Sequence, residues 1–168
     1  MDKVIVITGG SRGIGRALVT GLAQSRNVVF TGRDEAAINA TQAASENSTH
    51  RVQGYVCDGN DASRVEQLAQ ALLAERGAPE AIIHNAGIAR DGLHIHQDAA
   101  LWREVLDTNV ISMMNWNRVL LPAMLTQRRG SIVMMSSVSA LKGNVGQTAY
   151  AASKAAMSGI ARSLRSEE

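Results

Sequence analysis

The sequence predicts an α/β fold in which a doubly wound parallel sheet carries helices on both faces. Short apolar runs alternate with longer amphipathic stretches along the 168 residues. Strict β–α alternation of this kind implies a parallel sheet that helices cover on both sides. Composition points the same way, because 45% of residues are hydrophobic but only 3% are aromatic. That mix suits aliphatic helices packed on a sheet better than an aromatic-rich β-sandwich.

The individual elements follow from the pattern of apolar residues. Strands are predicted at residues 4–7, 28–31, 51–57, 81–84 and 132–135. Helices are predicted at residues 13–25, 34–44 and 101–127, after residue 61, and from about residue 148. In the helix after residue 61, apolar side chains recur with helical spacing at Val65, Leu68, Ala69, Leu72 and Leu73. Asp34 is a predicted N-cap, and Asp61 or Ser63 is predicted to cap the helix that follows.

Length and charge limit the classes of function. A chain of 168 residues suits one domain, which we assign to residues 1–168. The net charge is +2 and the basic residues are scattered, so no nucleic-acid partner is expected. No apolar run approaches the ~20 residues of a membrane span, and the N-terminus does not resemble a signal peptide. The single cysteine, Cys57, cannot form an internal disulfide, which favours a cytoplasmic protein.

A glycine-rich segment, Thr-Gly-Gly-Ser-Arg-Gly-Ile-Gly at residues 8–15, joins the first strand to the first helix. Glycines let the backbone approach a ligand closely, and a helix N-terminus offers free N–H groups to a phosphate. The alternative is an ordinary strand–helix turn, but a position after the first strand favours a Rossmann-type dinucleotide site. The predicted cofactor-binding residues of this segment are Gly9, Ser11, Arg12, Gly13, Ile14 and Gly15.

The end of the second strand indicates which dinucleotide binds. An acidic residue there would bond the ribose 2′-OH of NAD, but residues 30–33 read Phe-Thr-Gly-Arg. Arg33 and Arg12 together suit a 2′-phosphate, because guanidinium groups bind phosphate in a bidentate way. The sequence therefore predicts NADP(H). The alternative is that Arg33 is a solvated loop residue and Asp34 binds the 2′-OH of NAD.

The glycine spacing, T-G-x-x-x-G-x-G, resembles that of the short-chain dehydrogenase/reductase family, and the resemblance extends over the whole chain. The residues His84-Asn85-Ala86-Gly87 look like the family's N-N-A-G turn after the fourth strand, with His84 replacing the first Asn at a mostly structural position. The resemblance implies that Asn85, Ala86 and Gly87 bind the cofactor. It also implies that Asp58 contacts the adenine amino group, although Asp58 also suits a helix cap or a turn.

Four further residues match the family's catalytic set, namely Asn109, Ser137, Tyr150 and Lys154. Lys154 lies one helical turn from Tyr150, and a nearby ammonium group favours the phenolate form of tyrosine. The resemblance implies that Tyr150 protonates the substrate oxygen as hydride arrives from the nicotinamide, while Ser137 hydrogen-bonds that oxygen. Lys154 would also hold the nicotinamide ribose, and Asn109 a water that links Lys154 to solvent. The alternative, a half-buried tyrosine beside a surface lysine, is disfavoured by the family spacing of Ser137 and Asn109.

Three stretches, residues 86–93, 102–109 and 143–147, resemble the family's 3-oxoacyl-[acyl-carrier-protein] reductases. This implies NADPH-dependent reduction of a 3-oxoacyl thioester carried by acyl carrier protein or CoA. The alternatives are reduction of another ketone, oxidation of an alcohol, or a nucleotide-binding module without catalysis. Arg128 and Arg129 are expected either to attract an acidic carrier protein or to form a solvated helix end.

Further expectations concern the edge of the sheet and the surface of the domain. Family members continue with further strands and a substrate-covering loop, so we expect a sheet that is incomplete on its C-terminal side and a longer functional polypeptide. The strand at residues 131–135 is apolar on both faces, which is typical of an interior strand. The family also implies a dimer or tetramer. Trp102 and Trp116 lie on the long helix, where we expect them to pack at a helix–helix contact between subunits. His94 and His96 are expected in a substrate-side loop, and no metal site is predicted.

Overall fold

A computed structural model describes residues 4–167 and contains one parallel sheet of five strands. The strands are β1 (Val4–Thr8), β2 (Asn27–Gly32), β3 (Val52–Val56), β4 (Ala81–His84) and β5 (Ser131–Met134). They lie in the order β3-β2-β1-β4-β5, and each neighbouring pair is parallel. The order reverses between β1 and β4, so the predicted doubly wound α/β fold is confirmed.

Helices connect the strands and cover both faces of the sheet. They are α1 (Gly13–Leu22), α2 (Glu35–Ala43), α3 (Ala62–Arg76), α4 (Ala99–Leu106), α5 (Ser112–Thr126) and α6 (Thr148–Ser166). The carboxylate of Asp34 caps α2 by accepting from the backbone N–H of Ala37, as predicted. Asp61, and not Ser63, caps α3 through the backbone N–H of Arg64. In the described part of the chain, none of the helices combines the length and apolarity needed to cross a membrane.

The long helix predicted at residues 101–127 is interrupted. A π-helical turn, Asp107–Ile111, separates α4 from α5. A π-helical turn closes hydrogen bonds one residue later than an α-helix does, so it changes which side chains face inward. Asn109 lies inside this turn and is only 4% exposed. The apolar periodicity could not indicate the interruption, because the chain stays helical on both sides of it.

The core consists of two apolar layers, one on each face of the sheet. One layer includes α3 and α5 and contains the fully buried Trp116, and the other packs α1 and α2 against the strands. The expectation that Trp116 lies at a contact between subunits is therefore wrong. Within the described residues β5 is an edge strand, with Ser131 and Val133 exposed. The prediction that it is an interior strand applies to a longer polypeptide and stays a prediction.

A polar pair is buried between the end of β4 and α5. The ring Nε2 of His84 lies 2.8 Å from Oδ1 of Asn117, and His84 is 6% exposed. Its other ring nitrogen, Nδ1, has no hydrogen-bond partner within residues 4–167. A protonated ring would therefore carry a buried N–H that no acceptor satisfies. Desolvation by burial lowers the pKa of His84 to about 4, although the bond to Asn117 opposes this shift.

We predict that this pair makes the fold sensitive to acid. The neutral ring is favoured in the folded state, so its stabilisation is complete above the unfolded pKa of 6.5 and disappears as pH falls towards 4. The contribution is about 3 kcal/mol, since each unit of pKa shift corresponds to about 1.4 kcal/mol. Chemical unfolding measured between pH 7 and pH 4 should show this loss in the wild type and not in His84→Asn.

The matched control is His96→Asn, which removes an exposed imidazole of a 3₁₀ turn. This variant should show the same pH dependence of the unfolding free energy as the wild type. Carboxylates contribute to acid unfolding in all three proteins, so the difference between the curves isolates the contribution of His84. Curves of equal slope for the wild type and His84→Asn would contradict the prediction.

Candidate cofactor and catalytic site

In the glycine-rich loop after β1, the backbone packs so closely against neighbouring atoms that some positions have no room for a side chain. Gly9 and Gly13 adopt left-handed conformations, with φ of 67° and 53°. A Cβ on Gly9 would lie 2.8 Å from the Cα of Ala86, and one on Gly15 would collide with the carbonyl oxygen of Gly9. The N-terminus of α1 has no side-chain cap, so its first N–H groups remain available to an anion. The loop therefore fits a pyrophosphate group.

The turn after β4 holds this loop in position. The side-chain Nδ2 of Asn85 donates to the carbonyl oxygen of Gly9 at 2.9 Å and to that of Thr8 at 3.3 Å. The hydroxyl of Thr8 accepts in return from the backbone N–H groups of Asn85 and Ala86, each at 3.2 Å. The amide of Asn85 is thus used to position the loop. The sequence did not single out Thr8 for this role.

A cavity of about 480 Å³ opens beside the loop, at the carboxyl ends of the strands. Ligands of doubly wound sheets bind at such a switch point, and the volume is within the usual range for a small-molecule pocket. Ten of the predicted cofactor-binding residues line it: Gly9, Ser11, Arg12, Gly13, Ile14, Arg33, Asp58, Asn85, Ala86 and Gly87. Gly15 does not line the cavity. A side chain on it would collide with the carbonyl oxygen of Gly9, so the loop needs glycine here to adopt this conformation.

Two arginines flank one end of this cavity. Arg12 and Arg33 are exposed, and neither makes a hydrogen bond or ion pair with a side chain in the described range 4–167. Asp34 is partly used already, because its Oδ1 accepts from the backbone N–H of Ala37 at 3.1 Å. Asp58 also lines the cavity, and its Oδ1 accepts from the backbone N–H of Asn60 at 3.0 Å. Two arginines and two aspartates therefore line this cavity, and only the aspartate carboxylates already accept hydrogen bonds.

Tyr150 and Lys154 project from the first two turns of α6. The Nζ of Lys154 lies 5.8 Å from the centroid of the Tyr150 ring. It also donates to the carbonyl oxygen of Met135 at 2.7 Å. Lys154 is 6% exposed, and burial lowers its pKa. The hydroxyl of Tyr150 has no hydrogen-bond partner among residues 4–167, so it is available to a ligand.

The side chains of Ser137 and Asn109 differ in how many of their hydrogen-bonding groups are already used. The Oγ of Ser137 accepts from the backbone N–H of Ser139 at 3.1 Å, which leaves its own proton to donate. Both amide protons of Asn109 are used, one by the carbonyl of Ile88 and one by the Oγ of Ser153, each at 2.9 Å. Its Oδ1 accepts from the N–H of Ile88 at 2.7 Å. The side-chain amide of Asn109 therefore has no donor left for the water predicted there.

Gly87 connects the cavity to the Tyr–Lys pair. It lines the cavity, and a Cβ on it would lie 3.3 Å from the Nζ of Lys154 and 3.3 Å from the Oδ1 of Asn109. The ammonium group of Lys154 is therefore next to the cavity wall. Tyr150, Lys154 and Ser137 do not themselves line the cavity, and Gly87 is the residue that links its wall to Lys154.

Sequence reasoning missed several residues that shape the site. Ser136 donates from its hydroxyl to the backbone carbonyl of Lys154 at 3.0 Å, and Ser153 donates in the same way to the carbonyl of Tyr150 at 2.7 Å. Such bonds run to backbone atoms, and residue spacing carries no signal for them.

His94 lies in a 3₁₀ turn with its ring edge-on to Trp102, and residues 4–167 contain no cluster of metal-ligating side chains.

Comparison with known proteins agrees with this architecture. The family described as short chain dehydrogenase matches residues 3–168, and the chain belongs to this family of oxidoreductases. It is 34% identical over 166 residues to the 3-oxoacyl-[acyl-carrier-protein] reductase FabG of Escherichia coli (strain K12), covering 98% of this chain and 67% of that protein. The corresponding protein of Chlamydia muridarum is 36% identical over 169 residues, which cover 99% of this chain and 68% of that protein.

Solved structures show the same relationship. A putative short-chain dehydrogenase/reductase from Burkholderia xenovorans superposes with a TM-score of 0.93 at 29% identity, covering 98% of this chain and 68% of that one. The chain thus spans about two thirds of the length of its relatives. The predicted fold, incomplete relative to the family, is confirmed.

Proposed function

We propose that this protein reduces a 3-oxoacyl thioester to the 3-hydroxyacyl thioester with NADPH. One observation carries the proposal: Gly87 lines the nucleotide-sized cavity and lies directly against Lys154 and Asn109. A cofactor in that cavity would have its reacting end beside the Tyr–Lys pair. The similarity to 3-oxoacyl-[acyl-carrier-protein] reductases supports this choice of substrate class.

The charges at the other end of the cavity support NADP(H) over NAD. Arg12 and Arg33 are exposed at the rim and have no acidic partner in the described chain. Asp34, the residue that would bind the 2′-OH of NAD, directs one carboxylate oxygen to its own helix as an N-cap. Two guanidinium groups would bind a 2′-phosphate through charge-assisted hydrogen bonds. Asp58 remains the proposed partner of the adenine amino group.

The bound nicotinamide would supply the hydride, and this chain's residues would control the proton. The hydroxyl of Tyr150 donates its proton to the substrate oxygen, and Ser137 donates a second hydrogen bond that orients the same oxygen. Negative charge that develops on the Tyr150 oxygen is stabilised by the ammonium of Lys154 and by the N-terminus of α6. Lys154 would also hold the nicotinamide ribose.

Two arginines after α5 suit an acidic carrier protein. Arg128 and Arg129 lie between α5 and β5. No side chain of the described residues forms an ion pair with either arginine. Arg128 has a left-handed φ of 51°, so the chain turns sharply where α5 ends. We propose that these two arginines attract the carrier, that the protein acts in the cytoplasm, and that it forms a dimer or tetramer.

The first test measures binding and turnover on one sample. Purified protein should bind NADPH and oxidise it when acetoacetyl-CoA or an acetoacetyl carrier protein is added. NADPH binding without turnover on either thioester, but with turnover on an unrelated ketone or alcohol, would overturn the substrate class. Binding without turnover on any carbonyl compound would support a nucleotide-binding module instead.

A further prediction concerns the choice of cofactor. Arg33→Asp should weaken NADPH binding roughly ten- to hundredfold, because one charge-assisted phosphate contact is lost, and it should improve NADH binding. Titration of cofactor fluorescence measures both affinities. Arg16→Asp makes the same change in charge on exposed helix surface outside the cavity, and it should change the affinity far less. Unchanged NADPH affinity in Arg33→Asp would remove Arg33 from the site.

Another prediction distinguishes the roles of Tyr150 and Lys154. Tyr150→Phe should lower kcat by roughly 10²- to 10⁴-fold, the usual range for a lost general acid, and leave NADPH affinity nearly intact. Lys154→Ala should reduce both kcat and NADPH affinity, because that lysine also contacts the cofactor. Tyr55→Phe, which alters the other tyrosine of the chain, serves as the control. Equal and mild losses in the two site variants would contradict the assigned roles.

A further inference from the structure

A chain of side-chain hydrogen bonds connects the cofactor turn to the catalytic helix. It begins at Ile88, directly after the turn that lines the cavity, where the backbone N–H and carbonyl both bond the side chain of Asn109. The second amide proton of Asn109 is donated to the Oγ of Ser153 at 2.9 Å. The hydroxyl of Ser153 donates in turn to the backbone carbonyl of Tyr150 at 2.7 Å. Ser153 is fully buried, with 0% exposure.

We propose that Ser153 is a positioning residue for the reaction, and this inference rests on the proposed function. Ser153 touches neither of the reacting groups. It fixes the rotational position of the helix face that carries Tyr150 and Lys154, relative to the turn that contacts the cofactor. The hydrogen-bond partner of Ser153 is Asn109, which lies inside the π-helical turn.

Helix geometry shows why one serine has this effect. Successive residues of an α-helix are about 100° apart, so Ser153 lies about 60° to one side of Tyr150 and Lys154 about 40° to the other. A hydrogen bond to another element holds the side chain at each edge of this face of α6. Ser153 is bonded to Asn109, and the Nζ of Lys154 is bonded to the carbonyl oxygen of Met135 at 2.7 Å. Tyr150, between them, has no hydrogen bond of its own hydroxyl within residues 4–167.

Small rotations of the helix would displace the reacting group appreciably. The hydroxyl of a tyrosine lies about 8 Å from the helix axis, so a rotation of about 10° moves it by more than roughly 1 Å. A displacement of this size lowers reaction rates by up to about a hundredfold. Removing the anchor at Ser153 would therefore reduce the fraction of molecules in which Tyr150 is correctly placed, while the cofactor cavity stays intact.

The bond to Ser153 also completes the hydrogen bonding of Asn109. Its Oδ1 accepts one bond and its two amide protons are both donated, in a site where Asn109 is 4% exposed. Without the hydroxyl of Ser153, one buried amide proton would have no acceptor. The π-helical turn would then lose this side-chain hydrogen bond to α6.

The test compares Ser153→Ala with the matched control Ser158→Ala, an exposed serine on the same helix. Alanine favours helix slightly more than serine does, so neither substitution should unfold α6. In Ser153→Ala we expect kcat to fall about tenfold, NADPH affinity to change by less than about twofold, and the KM for the thioester to change little. Ser158→Ala should match the wild type in all three quantities.

A second measurement does not depend on activity. Hydrogen exchange of the side-chain amide of Asn109, followed by NMR on cofactor-free protein, should be slow in the wild type and in Ser158→Ala. It should be faster in Ser153→Ala, since one amide proton loses its acceptor. A wild-type kcat in Ser153→Ala, or an unchanged exchange rate, would overturn the inference. Absence of turnover in the wild type would instead overturn the proposed function.

Discussion

The contact between the glycine loop and the turn after β4 is the constraint on which the rest of the site depends. Both segments leave the sheet where the strand order reverses, so their backbones converge over the same gap. They approach so closely that Gly9 and Gly15 cannot carry a Cβ. Asn85 then donates hydrogen bonds across the gap to Thr8 and Gly9. The loop is thus held in the conformation that can receive a pyrophosphate.

Burial determines what Lys154 can do. An ammonium group removed from water is unfavourable unless it is compensated, and burial lowers its pKa here. The described chain gives it a backbone carbonyl and the face of the Tyr150 ring, but no carboxylate. A carboxylate would neutralise the lysine permanently. Without one, the positive charge remains available to stabilise negative charge on the tyrosine oxygen in the proposed proton transfer.

The sequence predicted the fold class, the order of the elements and ten of the residues that line the cavity, because glycine spacing and apolar periodicity are local signals. It failed where the outcome depended on packing between distant segments. The helix pattern around Asn109 gave no sign of the π-helical turn. An amphipathic helix also cannot reveal whether Trp116 faces its own sheet or another subunit, and in the structure it is buried in the core. The bonds of Ser153 run to backbone and amide atoms that only the folded chain brings near.

The positive charges of the site differ in exposure, and that difference separates their functions. Arg12 and Arg33 are exposed, so their attraction for a phosphate is screened by salt and can be exchanged for another specificity without disturbing the core. Lys154 is buried between α6 and the end of β5, where screening is weak and where any displacement changes its distance to Tyr150. The proposed selection of the cofactor therefore involves surface residues, which can be substituted without disturbing the core. The proposed proton transfer involves interior residues, whose positions are fixed by the packing of the sheet and helices.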